Sequence, residues 1–309
     1  MTMAKMATRE AYGNALAELG EKYDFVVLDA DLAAATKTGI FKKKYPERFF
    51  DCGIQEGNMM GVAAGLAAAG KVPVCSTFAM FAAGRAYEPI RNAIGYPHLG
   101  VKICATHAGI TVGEDGATHQ CNEDLALMRT IPGMTVICPA DEAETRAAVE
   151  TAITTDGPFY IRLGRFAVPD VHGEGYRFKL GKGDLLADGT DVTIIATGFM
   201  VHLALEAREM LAAKGISARV VDMHTIKPLD TEIILEAARE TGAIVTAEEH
   251  TVIGGLGEAV CGLLSEKCPV PVRRIGVNDE FGRSGKANEC LAYFGLTKEN
   301  IVEKAKKAI

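Results

Sequence analysis

A single carboxylate opens an otherwise uncharged segment of small residues. Glu56 begins a run dominated by Gly, Ala and Met that extends to Gly70, and it is the only acid between Asp51 and Glu88. Burial on such a helix disfavours the charged form of a carboxyl group, so the group can keep or share a proton at neutral pH. An acid at a helix N-terminus, favoured by the macrodipole, is the simpler interpretation. Taken alone, Glu56 favours that simpler interpretation.

The densest polar segment is the loop 106–120, which reads THAGITVGEDGATHQ and holds two histidines, two acids and three glycines. It follows a predicted strand, and open α/β sheets bind ligands at the carboxyl ends of their strands. Loops this rich in titratable groups are usually functional, so we favour a functional loop over histidines that only cap turns. The spacing of His107 and His119 matches no helical ligand pair, and we expect no metal ligands in this chain.

Two aromatic side chains follow another predicted strand. Phe78 and Phe81 lie three residues apart in STFAMF, a spacing that puts both rings on one side of a turn or helix start. Such a pair can belong to the core, or it can stack on a flat heterocycle. Alone the pair favours the core; beside Glu56 and the polar loop, it favours stacking on a heterocycle.

Chain length and net charge indicate the number of domains and exclude some kinds of partner. A chain of 309 residues is long enough for two domains that each bury a core. The net charge of -7, with no stripe of Lys and Arg, argues against a nucleic-acid partner. The one basic run, Lys42–Lys44, is predicted to lie in a polar connecting segment and to face solvent. Anionic substrates remain compatible, because a few placed cations matter more than the net charge.

Cysteine use and hydropathy favour a soluble, cytoplasmic chain without a membrane partner. None of the eight cysteines forms a CxxC pair, and several lie in apolar runs typical of strands, so we expect reduced core thiols. The N-terminal residues lack an apolar secretory core, and no apolar run approaches the ~18 residues of a membrane span.

Short β-branched runs alternate with Ala-rich helical patterns, which is typical of α/β domains with parallel sheets. The alternation breaks in a Gly/Pro/charge-mixed stretch and then restarts, so we predict a first domain at 1–165, a linker at 166–187 and a second domain at 188–309. The main predicted strands of the first domain are Phe25–Leu28, Val72–Ser76, Val101–Ala105, Thr135–Cys138 and Phe159–Arg162. Its main predicted helices are Arg9–Leu19, Gly57–Ala69, Ala83–Ile94, Glu123–Thr130 and Ala143–Thr154.

The order of these segments resembles transketolase. The resemblance rests on the Glu that opens a Gly/Ala helix, on STFAMF at 76–81, on TH and GEDGATH within 106–119, on EDLALMRTIPG at 123–133 and on AEEHTVIGGLGEA at 247–259. It covers nearly the whole chain but only the carboxyl-terminal half of a full-length transketolase. It implies a pyrimidine-binding domain followed by a transketolase carboxyl-terminal domain, both α/β.

The resemblance implies ketol transfer between sugar phosphates with thiamine diphosphate, in the pentose phosphate pathway. Glu56 would bond the N1′ nitrogen of the aminopyrimidine and favour the imino tautomer, whose nitrogen removes the thiazolium C2 proton. Phe78 and Phe81 would pack on the pyrimidine. A carboxyl group that shares a proton suits that role, so the chemistry of the residue and the resemblance agree.

Further residues carry roles by the same resemblance. Asp31 matches an acid near the thiazolium, although a turn Asp at a strand end is a common alternative. His107 and Arg165 would bind the sugar phosphate, Asp115 a sugar hydroxyl, and His119 the oxygens near the reacting carbon. A salt bridge at the domain junction is the alternative for Arg165.

The chain departs from the family at three positions. Ala35 and Gly84 stand where some transketolases place a phosphate-contacting Ser and a third aromatic, and Gln55 replaces an Arg found in several members. These departures bear on phosphate affinity and ring packing and leave the reaction class unchanged. Glu248, Glu249 and His250 match a family segment to which we assign no catalytic role; a subunit contact is an equal alternative.

A missing motif predicts a partner. The chain has no Gly-Asp-Gly segment, with which thiamine enzymes hold Mg²⁺ and the diphosphate. We therefore predict one subunit of a split transketolase. A separate amino-terminal subunit would supply the Mg²⁺ ligands, in a heterotetramer with two copies of each chain.

Three other functions stay open. A deoxyxylulose-phosphate synthase shares the GxDGATH motif but usually reads Asp-Arg at Thr106-His107. The beta subunit of a pyruvate-type 2-oxoacid dehydrogenase has this length but lacks the loop in this form. A non-catalytic assembly subunit would have no physical need for the polar residues of the loop.

Overall fold

The structure is a computed structural model that describes residues 5–173 and 175–309. The first four residues of the predicted first domain and Glu174 of the predicted linker lie outside this description. The prediction of two α/β units in series is confirmed, with sheets that are mixed but mostly parallel. None of the helices in the described residues has the length and apolar character to cross a bilayer.

The first unit contains β1–β8 and α1–α7. Its elements are β1 Lys5–Ala7, α1 Thr8–Leu19, β2 Val26–Asp29, α2 Ala33–Thr36, α3 Gly39–Lys44, β3 Phe49–Asp51, α4 Glu56–Ala68, β4 Pro73–Phe78, α5 Tyr87–Pro89, β5 Lys102–Thr106, α6 Asp124–Thr130, β6 Thr135–Ile137, α7 Glu142–Thr154, β7 Phe159–Arg162 and β8 Ala167–Pro169.

The second unit contains the remaining elements. They are β9 Asp184–Ala187, β10 Val192–Ala196, α8 Met200–Ala212, β11 Ala218–Asp222, β12 Thr225–Lys227, α9 Thr231–Thr241, β13 Ile244–Thr251, α10 Leu256–Lys267, β14 Val272–Val277, α11 Ala287–Tyr293 and α12 Lys298–Lys306.

The first sheet has seven strands in the order β12-β6-β7-β5-β4-β2-β3. All of its pairs are parallel except β12 with β6. Every residue of β4, β5 and β7 is buried, as expected for central parallel strands covered by helices on both faces. Because parallel strands end at the same edge, the segments after β2, β4 and β5 converge there.

The second sheet has five strands in the order β14-β13-β10-β11-β9, parallel except at β9. Its core is not separate from that of the first unit. One cluster of buried apolar side chains runs from Ile103 and Leu125 of the first unit to Val221, Ile234 and Leu256 of the second. Burial of this shared apolar surface holds the two units together.

The predicted linker is more structured than its composition indicates. Within residues 166–187, β8 pairs with β1 and β9 joins the second sheet. The second unit also lends β12 to the edge of the first sheet, where it satisfies backbone groups of β6 that would otherwise be unpaired. Composition does not reveal strands this short.

The prediction of a regular α-helix at Ala83–Ile94 is wrong. The chain there makes two π-helical segments, Met80–Arg85 and Ile90–Gly95, on either side of α5. Pro89 lacks a backbone N–H and Gly84 favours the helix weakly, so a regular i to i−4 ladder does not persist. The wider π turn sets the position of Arg85.

Candidate active site

Glu56 is the first residue of α4, and its side chain is 1% exposed. A turn precedes it in which Gly53 has a φ of 67°, a conformation that favours glycine. Arg85 Nη1 lies 3.0 Å from Glu56 Oε1 and 2.9 Å from Oε2. The carboxylate is therefore buried but has a cationic partner, which the sequence of α4 does not reveal.

Phe78 ends β4 and Phe81 lies in the first π-helical segment. Their ring centroids are 5.8 Å apart with an interplanar angle of 14°, so the rings are nearly parallel. The guanidinium carbon of Arg85 lies 4.6 Å from the centroid of Phe81, within the range of a cation–π contact. Arg85 thereby joins the Glu56 carboxylate to the ring pair.

The two histidines of the polar loop contact these rings. His107 stacks on Phe78 with centroids 3.9 Å apart, and His119 lies edge-on to Phe81 at 5.5 Å. His119 is partly exposed, and its Nδ1 lies 2.9 Å from the hydroxyl of Thr118. The structure thus brings Phe78, Phe81, His107 and His119 into one aromatic group.

His107 is held as a neutral imidazole. Its Nε2 lies 3.0 Å from Arg9 Nη1, which can only donate, so Nε2 accepts and Nδ1–H faces Thr106 Oγ1 at 2.8 Å. Burial, with the positive charges of Arg9 and Arg165, lowers the pKa of His107 to about 3. The positive charge at this place therefore comes from the two arginines and not from His107.

Arg165 and Asp115 form a partly exposed pair. Arg165 Nη1 donates to Val112 O at 2.6 Å and lies 3.3 Å from Asp115 Oδ2. Both side chains keep exposed surface, 37% and 45%, so they remain accessible to a ligand. Asp115 and Arg165, which lies between β7 and β8, both belong to the first unit, so this salt bridge does not reach into the second unit.

Asp31 lies at the carboxyl end of β2 with a φ of 61°. Its backbone N–H donates to Asp51 Oδ1 at 3.1 Å, and its side chain is exposed. Within the described residues, the Asp31 carboxylate forms no hydrogen bond or ion pair with the other predicted site residues. The turn interpretation fits this geometry, and Asp31 stands apart from the aromatic group.

The segment Glu248–His250 holds the second unit against the polar loop. Glu249 Oε1 accepts from Thr111 N at 2.6 Å, and a Cβ on Gly109 would overlap that carboxylate. His250 Nε2 accepts from Ala126 N at 3.3 Å, and burial lowers the pKa of His250 to about 4.

Glu248 has a different contact. Its oxygens accept from the first two amides of α10, Leu256 N at 2.7 Å and Gly257 N at 2.8 Å. Burial raises the pKa of Glu248 to about 7 in spite of these bonds. The three side chains of Glu248–His250 therefore make supporting contacts inside the chain.

A cavity of about 800 Å³ opens beside the aromatic group of Phe78, Phe81, His107 and His119. Phe81, Arg85 and Thr118 line it from the first unit, and Ile253 and Phe281 line it from the second. Phe281 is 92% exposed, so the wall that it forms is open to solvent. The cavity is large enough for a small-molecule ligand.

Sequence reasoning missed two cations of the site. Arg9 belongs to α1 and Arg85 to a segment predicted as ordinary helix, and each meets its partner across the fold. No local pattern marks either residue. The only available signal is that a buried carboxylate and a buried imidazole each need a polar partner.

Two family models match the chain. The model for the transketolase pyrimidine-binding domain matches residues 4–170, and the model for the transketolase C-terminal domain matches residues 181–301. The two matches follow the two units of the fold in order.

Individual relatives match along nearly the whole chain. A protein of Methanocaldococcus jannaschii, named for a transketolase C-terminal section, is 52% identical over 96% of this chain and 94% of that protein. A 6-deoxy-6-sulfo-D-fructose transketolase subunit of a Clostridium species is 47% identical over 96% and 92%. The rat transketolase is 41% identical over 98% of this chain but only 49% of that enzyme.

A solved structure agrees with these matches. A split-gene transketolase, captured as an inactive beta4 tetramer, superposes with a TM-score of 0.91 at 56% identity and covers 99% of this chain and 98% of that one. The likeness thus extends over nearly the full length of both chains.

Proposed function

Because the chain belongs to the transketolase family, we propose that it is the carboxyl-terminal subunit of a two-chain, cytoplasmic transketolase of the pentose phosphate pathway. The enzyme moves a two-carbon ketol unit from a ketose phosphate to an aldose phosphate with thiamine diphosphate. The observation that carries the proposal is the contact series from Glu56 through Arg85 and Phe81 to His119. This series puts a buried carboxylate beside stacked rings and a partly exposed histidine.

The described residues fit the pyrimidine half of thiamine diphosphate. Phe78 and Phe81 offer nearly parallel rings for stacking, and Glu56 offers a carboxylate that can bond a ring nitrogen and exchange a proton there. When bound, the cofactor supplies the carbanion stabilisation that ketol transfer requires. The Glu56 side chain is 1% exposed, so it is shielded from water where it would meet the pyrimidine nitrogen.

The diphosphate half is assigned to the partner. The chain lacks the Gly-Asp-Gly segment, and the cations of the aromatic group, Arg9 and Arg165, lie near His107. Mg²⁺ and its ligands would therefore belong to an amino-terminal subunit, and the exposed Asp31 would face the thiazolium side in the assembled enzyme. Two copies of each chain form the assembly, with the sites at the interfaces between subunits.

Substrate binding falls to the polar loop and its neighbours. Arg9 and Arg165 would bind the sugar phosphate, since guanidinium groups match phosphate oxygens in geometry and charge. His107 accepts a hydrogen bond and fixes Arg9. Asp115 would take a sugar hydroxyl, and His119 the oxygens next to the reacting carbon.

Exposed apolar surface supports a partner at α4. Ile54, just before the helix, is 68% exposed, and Val62 within it is 42% exposed. A Cβ added at Gly61 or Gly65 would meet no atom within 4 Å apart from the backbone of its own helix and its chain neighbours. That side of the helix is therefore free for close contact. A surface of this kind favours association with another protein. The related inactive tetramer of beta chains supports the need for a second kind of subunit.

The proposal is tested by reconstitution. The chain alone, the candidate amino-terminal subunit alone, and the mixture are each assayed with thiamine diphosphate and Mg²⁺ for ketol transfer from xylulose 5-phosphate to ribose 5-phosphate. We expect activity in the mixture only. Activity of the isolated chain contradicts the split-subunit assignment. Pyruvate decarboxylation or deoxyxylulose phosphate formation by the mixture identifies another thiamine enzyme, and inactivity with every substrate supports an assembly subunit.

A second panel addresses substrate range. One relative is named for a sulfonated ketose, so relatives of this length differ in their sugar. The reconstituted enzyme is compared on phosphorylated and sulfonated ketoses. Preference for the phosphorylated ketose supports the substrate assignment, and preference for the sulfonated one replaces it while the reaction class stays.

A further inference from the structure

A second polar cluster lies away from the aromatic group, where the two units meet the segment between them. Its members are titratable side chains that point toward one another. They are Asp141 and Glu144 of the first unit, His172 and Tyr176 of the segment that connects β8 to β9, and Asp184, Asp222 and His224 of the second unit. Most of these side chains are buried, and Asp184 is 25% exposed, which leaves the cluster a route to solvent.

Several polar atoms of this cluster have no partner. His172 Nε2, both carboxylate oxygens of Asp222 and His224 Nε2 are buried without a hydrogen bond. The side chains of His172, Asp222 and His224 are 4%, 0% and 0% exposed. Buried polar atoms without partners are rare in proteins, and a bound water or ion is one explanation for them.

The two histidine Nε2 atoms lie too far from the carboxylates for hydrogen bonds. His172 Nε2 lies 3.7 Å from Asp222 Oδ2 and 4.0 Å from Glu144 Oε1. His224 Nε2 lies 3.7 Å from Asp184 Oδ2. Two ligands that each bind one ion at ~2.1 Å lie between about 3.4 and 4.2 Å apart. The observed gaps match that range.

Asp141 fixes the orientation of His172. Asp141 Oδ2 lies 3.0 Å from His172 Nδ1 and also accepts from the backbone N–H groups of Val171 and His172. In the neutral imidazole, Nδ1–H donates to Asp141 and the lone pair of Nε2 points into the cluster. This arrangement is how proteins orient histidines that bind metals.

The charges are unbalanced. Within the described residues, none of the four carboxylates forms an ion pair with Lys or Arg. Tyr176 Oη lies 2.8 Å from both Glu144 Oε1 and Asp184 Oδ2, and its one proton can serve only one of them.

We propose that this cluster binds one divalent transition-metal ion of the Zn²⁺ or Mn²⁺ kind. Two groups of atoms are close enough to share an ion, Glu144 with His172 and Asp222, and Glu144 with Asp184 and His224. Mixed imidazole and carboxylate ligands suit these ions better than Mg²⁺. The ion would fasten α7, the connecting segment and the ends of the second sheet to one another, so its role is structural and separate from ketol transfer.

The test uses the full chain alone, purified without added metal, since Mg²⁺ of the proposed active site belongs to the partner. Inductively coupled plasma mass spectrometry should find about one Zn²⁺ or Mn²⁺ per chain. Treatment with EDTA should lower the Tm by several degrees, and Zn²⁺ or Mn²⁺, but not Mg²⁺, should restore it. X-ray absorption at the metal edge should show nitrogen and oxygen ligands near 2.1 Å.

A substitution distinguishes a bound metal ion from carboxyl groups that are neutralised by protons. In Asp222→Asn the metal content should fall and the Tm should no longer respond to EDTA, whereas Glu206→Gln, at an exposed ion pair, should behave like the parent. Without a metal, Asp222→Asn removes repulsion among carboxylates and leaves the chain equally or more stable. A metal-free parent whose Tm ignores EDTA, Zn²⁺ and Mn²⁺ overturns the proposal and identifies a cluster neutralised by protons.

Discussion

Arg85 lies against Glu56 with one guanidinium nitrogen 3.0 and 2.9 Å from the two carboxylate oxygens, although 29 residues separate them along the chain. The same guanidinium covers the Phe81 ring. The carboxylate that would meet the cofactor is thus held in place by its own chain, and one nitrogen between two oxygens leaves further lone pairs available for a ligand.

Glu56→Gln should lower kcat of the reconstituted enzyme by ~10²–10⁴-fold, because an amide cannot exchange a proton with the pyrimidine nitrogen. Gln keeps the shape of the side chain and one oxygen that can accept from Arg85, so the Tm of the variant should fall only slightly. Steady-state ketol transfer measures the effect. The matched control is Glu88→Gln, an exposed acid close in sequence to Arg85. A turnover similar to that of the control contradicts the assignment.

The ion pair itself should appear in a double-mutant cycle on the isolated chain. Arg85→Met alone leaves a buried carboxylate without its cation, whereas the same change beside Glu56→Gln does not. We expect a coupling free energy of ~0.5–1.5 kcal/mol, in the lower half of the usual range for contacting pairs. Arg85 is 52% exposed, and water screens its charge. Urea unfolding of the four proteins gives the coupling, and strictly additive losses would show that the pair contributes nothing.

Arg9→Gln and Arg165→Gln should each raise KM for sugar phosphates by ~10–100-fold, the loss expected when a charged hydrogen bond to phosphate is removed. The effect on kcat should be smaller, because the phosphate lies away from the reacting carbon. The same assays with an unphosphorylated ketose supply the control, since neither variant should change its KM. An equal loss on both substrates would indicate a structural role for the two arginines.

Part of this molecule is predictable from local sequence. The runs Val72–Ser76 and Val101–Ala105 are mostly apolar, and they form the buried centre of the first sheet as Pro73–Phe78 and Lys102–Thr106. Because parallel strands share a carboxyl edge, the neighbourhood of Phe78 and His107 follows from the strand predictions. The catalytic and binding roles of these residues stay predictions.

The rest depends on contacts between distant segments. Arg9 reaches His107 across 98 residues, and Glu249 reaches Thr111 across 138. Nothing near Arg9 in sequence distinguishes it from an ordinary helix-surface cation. Strand β12 has three residues and exists because the edge of β6 needs a partner. Such features are properties of the tertiary structure.

His107 should make the chain less stable in acid. Its pKa falls from 6.5 to about 3 on folding. Above pH 6.5 the side chain is neutral in both states and contributes no pH dependence. Between pH 6.5 and about 3 the unfolded chain binds a proton that the folded chain does not, so stability falls as the pH falls, by up to ~1.4 kcal/mol per unit. His107→Gln keeps an oxygen that can accept from Arg9 and removes this titration.

Urea unfolding at several pH values between 7 and 4.5 measures the difference. The free energy of unfolding of the parent should fall more steeply with acid than that of His107→Gln. The other buried groups titrate in both proteins and cancel in the comparison. Parallel curves would mean that His107 is protonated in the folded chain.

Gly109→Ala should destabilise the chain through the contact between the polar loop and the second unit. Gly109 has a φ of 81°, and an added Cβ would overlap the carboxylate of Glu249, which holds Thr111 N at 2.6 Å. We expect a loss of ~2–3 kcal/mol from backbone strain and displaced packing together. Gly70→Ala is the matched control, since Gly70 has a φ of 83° but no atom within 4 Å of a built Cβ. Strain alone should cost about 1–2 kcal/mol there. Chemical unfolding measures both losses. The excess at Gly109 reports the overlap with Glu249 together with the strain of its ψ of -169°, and equal losses would show that neither adds a cost.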